Sequence, residues 1–400
     1  MKELIKKLIP SFLLSWYHLS LAFLGALIYG FPSKKIKVIG VTGTNGKTTV
    51  VNFTTKVLEA GGFKVAALSG IKFKIGQKEW TNALKMTMPG RFKIQSFLRK
   101  GVKAGCQYAV LEVTSEGILQ HRHRFIDFIV AIFTNLSPEH IERHGGFDNY
   151  RAAKGRFFQG VKGVHIINAE DEQADYFLQF PARKKYTYGL RQGEVNNNDL
   201  QIKLKLLGEF NIYNALAAIS MGLSQGVDLT KAKRAVEELE GVPGRMEEVI
   251  MKPFRVVVDY AFTPNALKKV YQTLKPASGK MICVLGACGG GRDKWKRPVL
   301  GEIAAEYGDQ IIVTNEDPYD EDPLSIIEQV AAGAKNRVEK IIDRREAIRK
   351  ALTLAVPGDV VIITGKGCEP WIVESQGRKI PWDDRQIVRE EMAKLGQVAN

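Results

Sequence analysis

The segment Gly40-Val41-Thr42-Gly43-Thr44-Asn45-Gly46-Lys47-Thr48-Thr49 leaves this chain few folds to choose from. It follows a β-like run at 36–41 and leads straight into helical periodicity. In such a loop, backbone N–H groups point inward and cradle phosphate oxygens. The lysine adds a point charge, and the next hydroxyl can ligate Mg²⁺. A nucleoside triphosphate site is therefore expected, with Gly43, Thr44, Asn45, Gly46, Lys47, Thr48 and Thr49 as its contacts. The strict phosphate-loop pattern asks for glycine where Val41 stands, so a plain glycine-rich turn between strand and helix is the alternative reading.

The 400 residues exceed what one hydrophobic core usually organises, so about two or three domains are expected. A net charge of +15 suits anionic partners, among them nucleotides, phosphorylated intermediates, nucleic acid or an acidic membrane surface, and does not choose between them. Cys106, Cys283, Cys288 and Cys368 form no C-x-x-C pair, which argues against a zinc ribbon and for a reducing cytosol. Residues 11–31 are apolar and aromatic, with Lys2, Lys6 and Lys7 before them and Lys34, Lys35 and Lys37 after them. As a helix this stretch would run roughly 30 Å. It holds His18 and three serines, its basic flanks give no orientation, and no A-x-A-like cleavage site follows. Three arrangements stay open: a helix on a membrane surface or lipid substrate, one packed on the protein itself, and a span.

Beyond residue 35 strand-like and helix-like runs alternate, which predicts an α/β fold with parallel sheets. Strands are expected at 36–41, 65–68, 108–113, 128–133 and 164–168, with helices at 48–60, capped by Gly61-Gly62, and at 211–223. The punctuation Gly241-Val242-Pro243-Gly244-Arg245 suggests a boundary. A second set follows, with strands at 255–259, 281–285, 310–314, 340–343 and 360–364 and helices at 323–334 and 345–354. The expected organisation is an apolar segment at 1–35, a doubly wound phosphate-loop domain at 36–243 and a Rossmann-like α/β domain at 244–400. Ligands would sit at the carboxyl ends of strands and in the cleft between domains.

Glu112 ends the third strand, where a carboxylate beside the phosphate loop can hold Mg²⁺. On spacing alone, His140 is equally a surface or core histidine, and Lys154 a solvated helix lysine.

Several motifs in this order resemble the Mur ligase family. They are Gly43-Thr44-Asn45-Gly46-Lys47-Thr48-Thr49, Glu112-Val113-Thr114-Ser115, Thr134-Asn135-Leu136 with His140, and Ala152-Ala153-Lys154 with Phe158. In the second half come Val242-Pro243-Gly244-Arg245-Met246-Glu247, Asp259-Tyr260-Ala261-Phe262-Thr263-Pro264, Gly290-Gly291-Arg292-Asp293-Lys294, Gly365-Lys366-Gly367-Cys368-Glu369 and Asp383-Asp384-Arg385. Together they are most similar to the branch that adds the third residue of the peptidoglycan stem peptide, and the resemblance covers about residues 36–390. It implies an ATP-dependent, ADP-forming amide ligase in cell-wall synthesis. Catalytic roles would fall to Lys47, Glu112, His140 and Lys154. Thr48 and Glu112 would share one Mg²⁺, and His140 a second. Lys154 would carry a CO₂-derived carbamate and join the metal ligands. Asn211, Asn214, Arg245 and Asp259 would contact the nucleotide; Arg292, Lys294, Glu316, Asp317, Tyr319, Lys366 and Glu369 would line the substrate site. Partners implied are an amino acid and an acidic muramoyl-type peptide, with no nucleic acid. A cytoplasmic monomer is expected, peripheral at the inner membrane face if residues 11–31 meet lipid.

The chain departs from the family pattern in three places. Residues 1–35 stand where a UDP-gripping domain is usual, so a lipid-linked or other non-UDP acceptor is an alternative. The family's Asp-Asn-Pro-Arg box reads Glu316-Asp317-Pro318-Tyr319; a tyrosine cannot pair bidentately with a carboxylate, which speaks against diaminopimelate, while Glu316, Asp317 and Asp320 make an acidic rim suited to lysine. Cys368 and Phe262 replace usual histidines, Cys368 reading as a small buried residue. A folylpolyglutamate synthase, an amidating relative with a four-Cys zinc insert, and a nucleotide-gated binding module without ligase activity are the competing readings.

Overall fold

The computed structural model describes residues 10–84, 86–139, 141–335 and 338–398. Two compact units divide the chain: Met1–Pro138 with Gly145–Lys205 and Phe210–Leu239, and Glu139–His144 with Leu206–Glu209 and Glu240–Asn400.

The first unit is built on a nine-stranded sheet: β1 (Lys37–Thr42), β2 (Val65–Leu68), β3 (Lys72–Ile75), β4 (Lys78–Thr81), β5 (Tyr108–Glu112), β6 (Phe128–Phe133), β7 (Val164–Asn168), β8 (Lys184–Gly189) and β9 (Val195–Asn196). Their order is β4-β3-β2-β5-β1-β6-β7-β8-β9, parallel except for the β2–β3 and β3–β4 pairings. The central strands are buried on both faces, which is why they read as near-continuous apolar runs. The hairpin β3–β4 was not anticipated: Lys-Phe-Lys-Ile and Lys-Glu-Trp-Thr alternate for too few residues to give a period-2 signal, and β4 is exposed throughout.

Val41, where the strict loop pattern asks for glycine, is still a buried strand residue, paired with Glu112 on one side and Ile132 on the other. The loop therefore starts later, at Gly43. The helix Lys47–Ala60 ends as the Gly61-Gly62 pair implied: Gly62 takes φ +86° and Phe63 N donates to Leu58 O.

Residues 11–31 break into a helix, Ser11–Ile28, and a left-handed turn at Gly30 and Phe31 that closes with Phe31 N donating to Ala26 O. The helix packs on the first unit. Ala22, Gly25 and Ala26 are buried, and a Cβ on Gly25 would stand 3.6 Å from the backbone of Arg91 and Phe92 in the helix Arg91–Lys103. Among the described residues no helix is long and apolar enough to cross a membrane, so the spanning arrangement is not met there.

The second unit holds a six-stranded sheet of β10 (Glu247–Ile250), β11 (Arg255–Val258), β12 (Met281–Leu285), β13 (Gln310–Thr314), β14 (Val338–Ile341) and β15 (Val360–Ile363), in the order β10-β11-β15-β12-β13-β14. All pairings are parallel except β10–β11. Strand β14 lies two residues earlier than the expected 340–343, because Asp343 is taken as the N-cap of the helix Arg344–Leu354, accepting from Glu346 N at 2.8 Å.

Candidate active site

In the first unit the phosphate loop joins β1 to the helix Lys47–Ala60, whose N-cap is Gly46. Only glycine fits at two positions. Gly43 has φ +149° and a Cβ there would lie 1.9 Å from Thr134 Oγ1; Gly46 has φ +82° and its Cβ would meet Asn214 Oδ1 at 2.4 Å. Lys47 Nζ folds back over the loop, donating to Gly43 O at 3.0 Å and Thr44 O at 2.7 Å.

The loop is held by the segment after β6. Thr44 N donates to Asn135 O, Asn45 N to Asn135 Oδ1 at 2.9 Å, and Thr134 Oγ1 to Asn45 O at 2.7 Å. Thr44 Oγ1 bonds the Tyr150 hydroxyl at 3.0 Å. Sequence reasoning had Thr134 and Asn135 only as a motif; their work as a clamp is a tertiary contact between the ends of adjacent parallel strands, which spacing does not reveal.

Thr48 and Glu112 are brought together: Thr48 Oγ1 donates to Glu112 Oε1 at 2.7 Å, and Gly70 N to the same oxygen at 2.8 Å. Both residues are buried, and this all-oxygen pair beside a phosphate cradle fits Mg²⁺, which typically takes one or two carboxylates plus phosphate oxygens and waters. Asn211 and Asn214 sit buried on the helix Glu209–Ser224, Asn214 Nδ2 donating to Asn211 Oδ1 at 3.0 Å. His140 lies outside the described residues.

Lys154 is not the solvated lysine that spacing alone allowed. It is 1% exposed on the helix Phe147–Gly160, with Nζ donating to Gly43 O at 2.8 Å and standing 4.6 Å from the Tyr150 ring centroid. Burial, and then the charge of Lys47, push its pKa well below the ordinary lysine value.

A second cluster lies within the second unit. Lys366, fully buried, donates to Asp317 Oδ1 at 2.9 Å and to Glu369 Oε2 at 2.8 Å, and Tyr260 donates to Glu369 Oε1 at 2.9 Å. Glu316 is 2% exposed; Cys288 Sγ donates to its Oε1 at 2.9 Å, while Oε2 has no hydrogen-bond partner among the described residues. Burial raises the Glu316 pKa. Arg292 stacks on Tyr319 at 5.3 Å and donates to its hydroxyl at 3.2 Å. The Tyr319 phenol is pushed up to about 12 by burial, against the pull of Arg292. Asp317, like Glu316, is buried, and it is engaged by Lys366 and by Val373 N, while the exposed Asp320 accepts from Gln376 N. Lys294 is exposed and pairs with Glu321 at 3.2 Å.

Arg245 lies over the Tyr260 ring at 4.2 Å. Asp259 accepts from Met246 N at 2.7 Å and Ala261 N at 2.6 Å; burial raises its pKa, opposed by Arg245. Cys368 donates to Pro243 O at 3.2 Å, and burial raises its pKa, so it sits as a packed thiol rather than a reactive thiolate.

Comparison with known proteins identifies the family of both halves of the chain. Residues 41–222 match the Mur ligase middle domain, and residues 244–367 the Mur ligase glutamate ligase domain. The chain is 41% identical over 401 residues to a UDP-N-acetylmuramoyl-L-alanyl-D-glutamate–2,6-diaminopimelate ligase of Syntrophomonas wolfei, covering 93% of this chain and 81% of that one. It is 36% identical to a UDP-N-acetylmuramyl-tripeptide synthetase of Roseiflexus, covering 94% and 82%. A solved diaminopimelate ligase of the same description superposes with a TM-score of 0.59 at 32% identity, covering 90% of this chain and 79% of that one. A Mycobacterium tuberculosis folylpolyglutamate synthase shares the fold, with a TM-score of 0.69 at 17% identity over 87% and 92%. The chain belongs to the Mur ligase family, the ATP- and Mg²⁺-dependent, ADP-forming amide ligases of peptidoglycan stem-peptide synthesis.

Proposed function

We propose that this ligase adds the third stem-peptide residue, joining an amino acid to the terminal carboxylate of an acidic muramoyl-type peptide in the cytoplasm, with Lys154 active as its carbamate. Buried Lys154 beside Gly43 and Lys47 carries the reading. A lysine held neutral there has a nucleophilic nitrogen: it adds to the carbon of CO₂, loses one proton and becomes an anion. An anion at that spot offsets Lys47, where an ammonium would repel it.

The chemistry assigned to the site follows. A carboxylate oxygen of the acceptor attacks the γ-phosphorus, the bond to the β-phosphate oxygen breaks, and ADP leaves. Lys47 and the loop N–H groups hold the phosphates as charge shifts. Thr48 and Glu112 would hold Mg²⁺, which would neutralise phosphate charge, and the family pattern assigns His140, outside the described residues, to a second ion. The amine then attacks the acyl phosphate carbon; phosphate and a proton depart, leaving the amide. Asn211, Asn214, Arg245 and Asp259 are assigned to the nucleotide. Glu369, oriented by Lys366 and Tyr260, is assigned to the incoming amino group.

Two amino acids are in contention, each with an observation behind it. Glu316 Oε2 is buried and unpartnered, and Tyr319 replaces an arginine, which favours lysine. Arg292, stacked on Tyr319, offers a guanidinium to a distal carboxylate, which favours diaminopimelate, the substrate in the names of several relatives. Acceptor-dependent ADP release, compared across lysine, diaminopimelate, ornithine and alanine, decides between them. No release with any of the four, at saturating UDP-muramoyl dipeptide or a lipid-linked analogue, would refute the third-residue reading.

A further inference from the structure

The helix Ser11–Ile28 spends its small residues inward and its large ones outward. Ala22, Gly25 and Ala26 seat it on the helix Arg91–Lys103, while Trp16 and Ile28 stay 66% and 65% exposed and Phe12, Leu13, Leu24 and Leu27 are exposed with them. The apolar surface continues beyond the helix: Phe23 meets the exposed Phe125 edge-on at 5.4 Å, and Phe92, whose backbone lies against Gly25, is exposed as well. Such a surface opposes folding into water unless something covers it.

The charges around it say what does. Between Glu3 and Glu59 the chain has no Asp or Glu, nor has it between Glu79 and Glu112. The supporting helix carries Arg91, Lys93, Arg99, Lys100 and Lys103, and Lys34, Lys35 and Lys37 stand exposed just past the apolar helix. Arg91 and Arg122 sit close enough to repel one another, which helps lower the Arg91 pKa after burial, while Glu116 draws the other way on Arg122. A protein partner fitting this patch would need a wholly acidic rim around an apolar centre. A bilayer leaflet offers that arrangement by its nature, with acyl chains behind anionic headgroups. The helix is 18 residues long and buried along one side, so it lies on the leaflet rather than crossing it.

We infer that the outer face of Ser11–Ile28, with Phe92 and Phe125, is a docking surface for the interface of an anionic phospholipid bilayer, holding the enzyme flat by apolar insertion and its basic collar. The inference stands on this patch alone and does not depend on the choice of acceptor or amino acid.

The full-length protein is tested by co-sedimentation with vesicles of phosphatidylcholine containing phosphatidylglycerol, and with phosphatidylcholine alone. Binding to the anionic vesicles is expected, weakened about tenfold or more by Trp16→Ser with Ile28→Ser, and weakened similarly by Lys34→Glu with Lys35→Glu or by raised salt. Trp16 fluorescence should be quenched by brominated acyl chains. These positions are exposed, so an unchanged circular dichroism spectrum checks that the variants fold. Absence of binding, equal binding to neutral vesicles, or binding indifferent to both pairs of substitutions would overturn the inference. So would a dimer in solution that the Trp16 and Ile28 substitutions dissolve, since a second copy would then be what covers the patch.

Discussion

Lys154 shows how one buried amine ties stability to catalysis. Its folded pKa lies below the unfolded value, so between the two the unfolded chain binds the extra proton and stability rises with pH up to about 10.5. In CO₂-free buffer Lys154→Met should therefore melt above the wild type at pH 7, with the gap closing as the pH approaches 10.5. A gap of constant size in a thermal melt series would contradict the assigned cause. Lys154→Ala should lower amide formation by about 10²-fold or more, with partial rescue by a short carboxylate such as formate or acetate. Spacing could not reveal this residue's state, because a lysine on a helix reads as solvated until the fold places Gly43 and Tyr150 against it. Glu316 was similar: its acidity was legible, but the state of its two oxygens was not, since that depends on Cys288 donating to Oε1 and Gly365 packing against Oε2.

Among the elements, the phosphate loop is the most constrained. Gly43→Ala would place a methyl 1.9 Å from Thr134 Oγ1 at a φ that non-glycine residues avoid, and should abolish nucleotide binding by isothermal titration, with a loss of stability of about 2 kcal/mol or more. The motif was plain in the sequence because glycine spacing reflects backbone conformation directly. Its partner, the Thr134-Asn135 clamp, was recognisable only by resemblance. The hairpin β3–β4 escaped because its strands are four residues each, at a sheet edge, and five of their eight side chains are lysine, glutamate or threonine. The helix Ser11–Ile28 was visible as apolar but not as one-sided, because its buried stripe is made of Ala and Gly, which carry little hydrophobic contrast. Ala26→Asp should detach it from the helix Arg91–Lys103, detected as new protease sensitivity within residues 10–31.

At the scale of the molecule, each unit carries its own α/β core and its own part of the chemistry. The second unit is pinned by a fully buried bidentate pair, Arg344 to Asp384 at 2.9 and 2.8 Å, with Arg344 also donating to Asn315 O and Thr364 O. Asp384→Ala leaves that guanidinium buried without its bidentate partner and should cost about 3–5 kcal/mol, read as a lowered denaturant midpoint for the second unit's transition. The alternating strand and helix runs made both cores legible, since doubly buried parallel strands are apolar end to end. What the sequence did not reveal is that short stretches, Glu139–His144 and Leu206–Glu209, cluster with the second unit although the chain around them belongs to the first.

Amide synthesis coupled to ATP is the activity that defines this enzyme. The direct measurement is mass spectrometry of the acceptor after incubation with ATP, Mg²⁺ and a single amino acid, with ADP quantified in the same reaction. One ADP for each amide formed is predicted, together with an acceptor heavier by one lysine or diaminopimelate residue and loss of both signals in Lys154→Ala. ADP release without a heavier acceptor, or an unchanged product yield from Lys154→Ala, would contradict it.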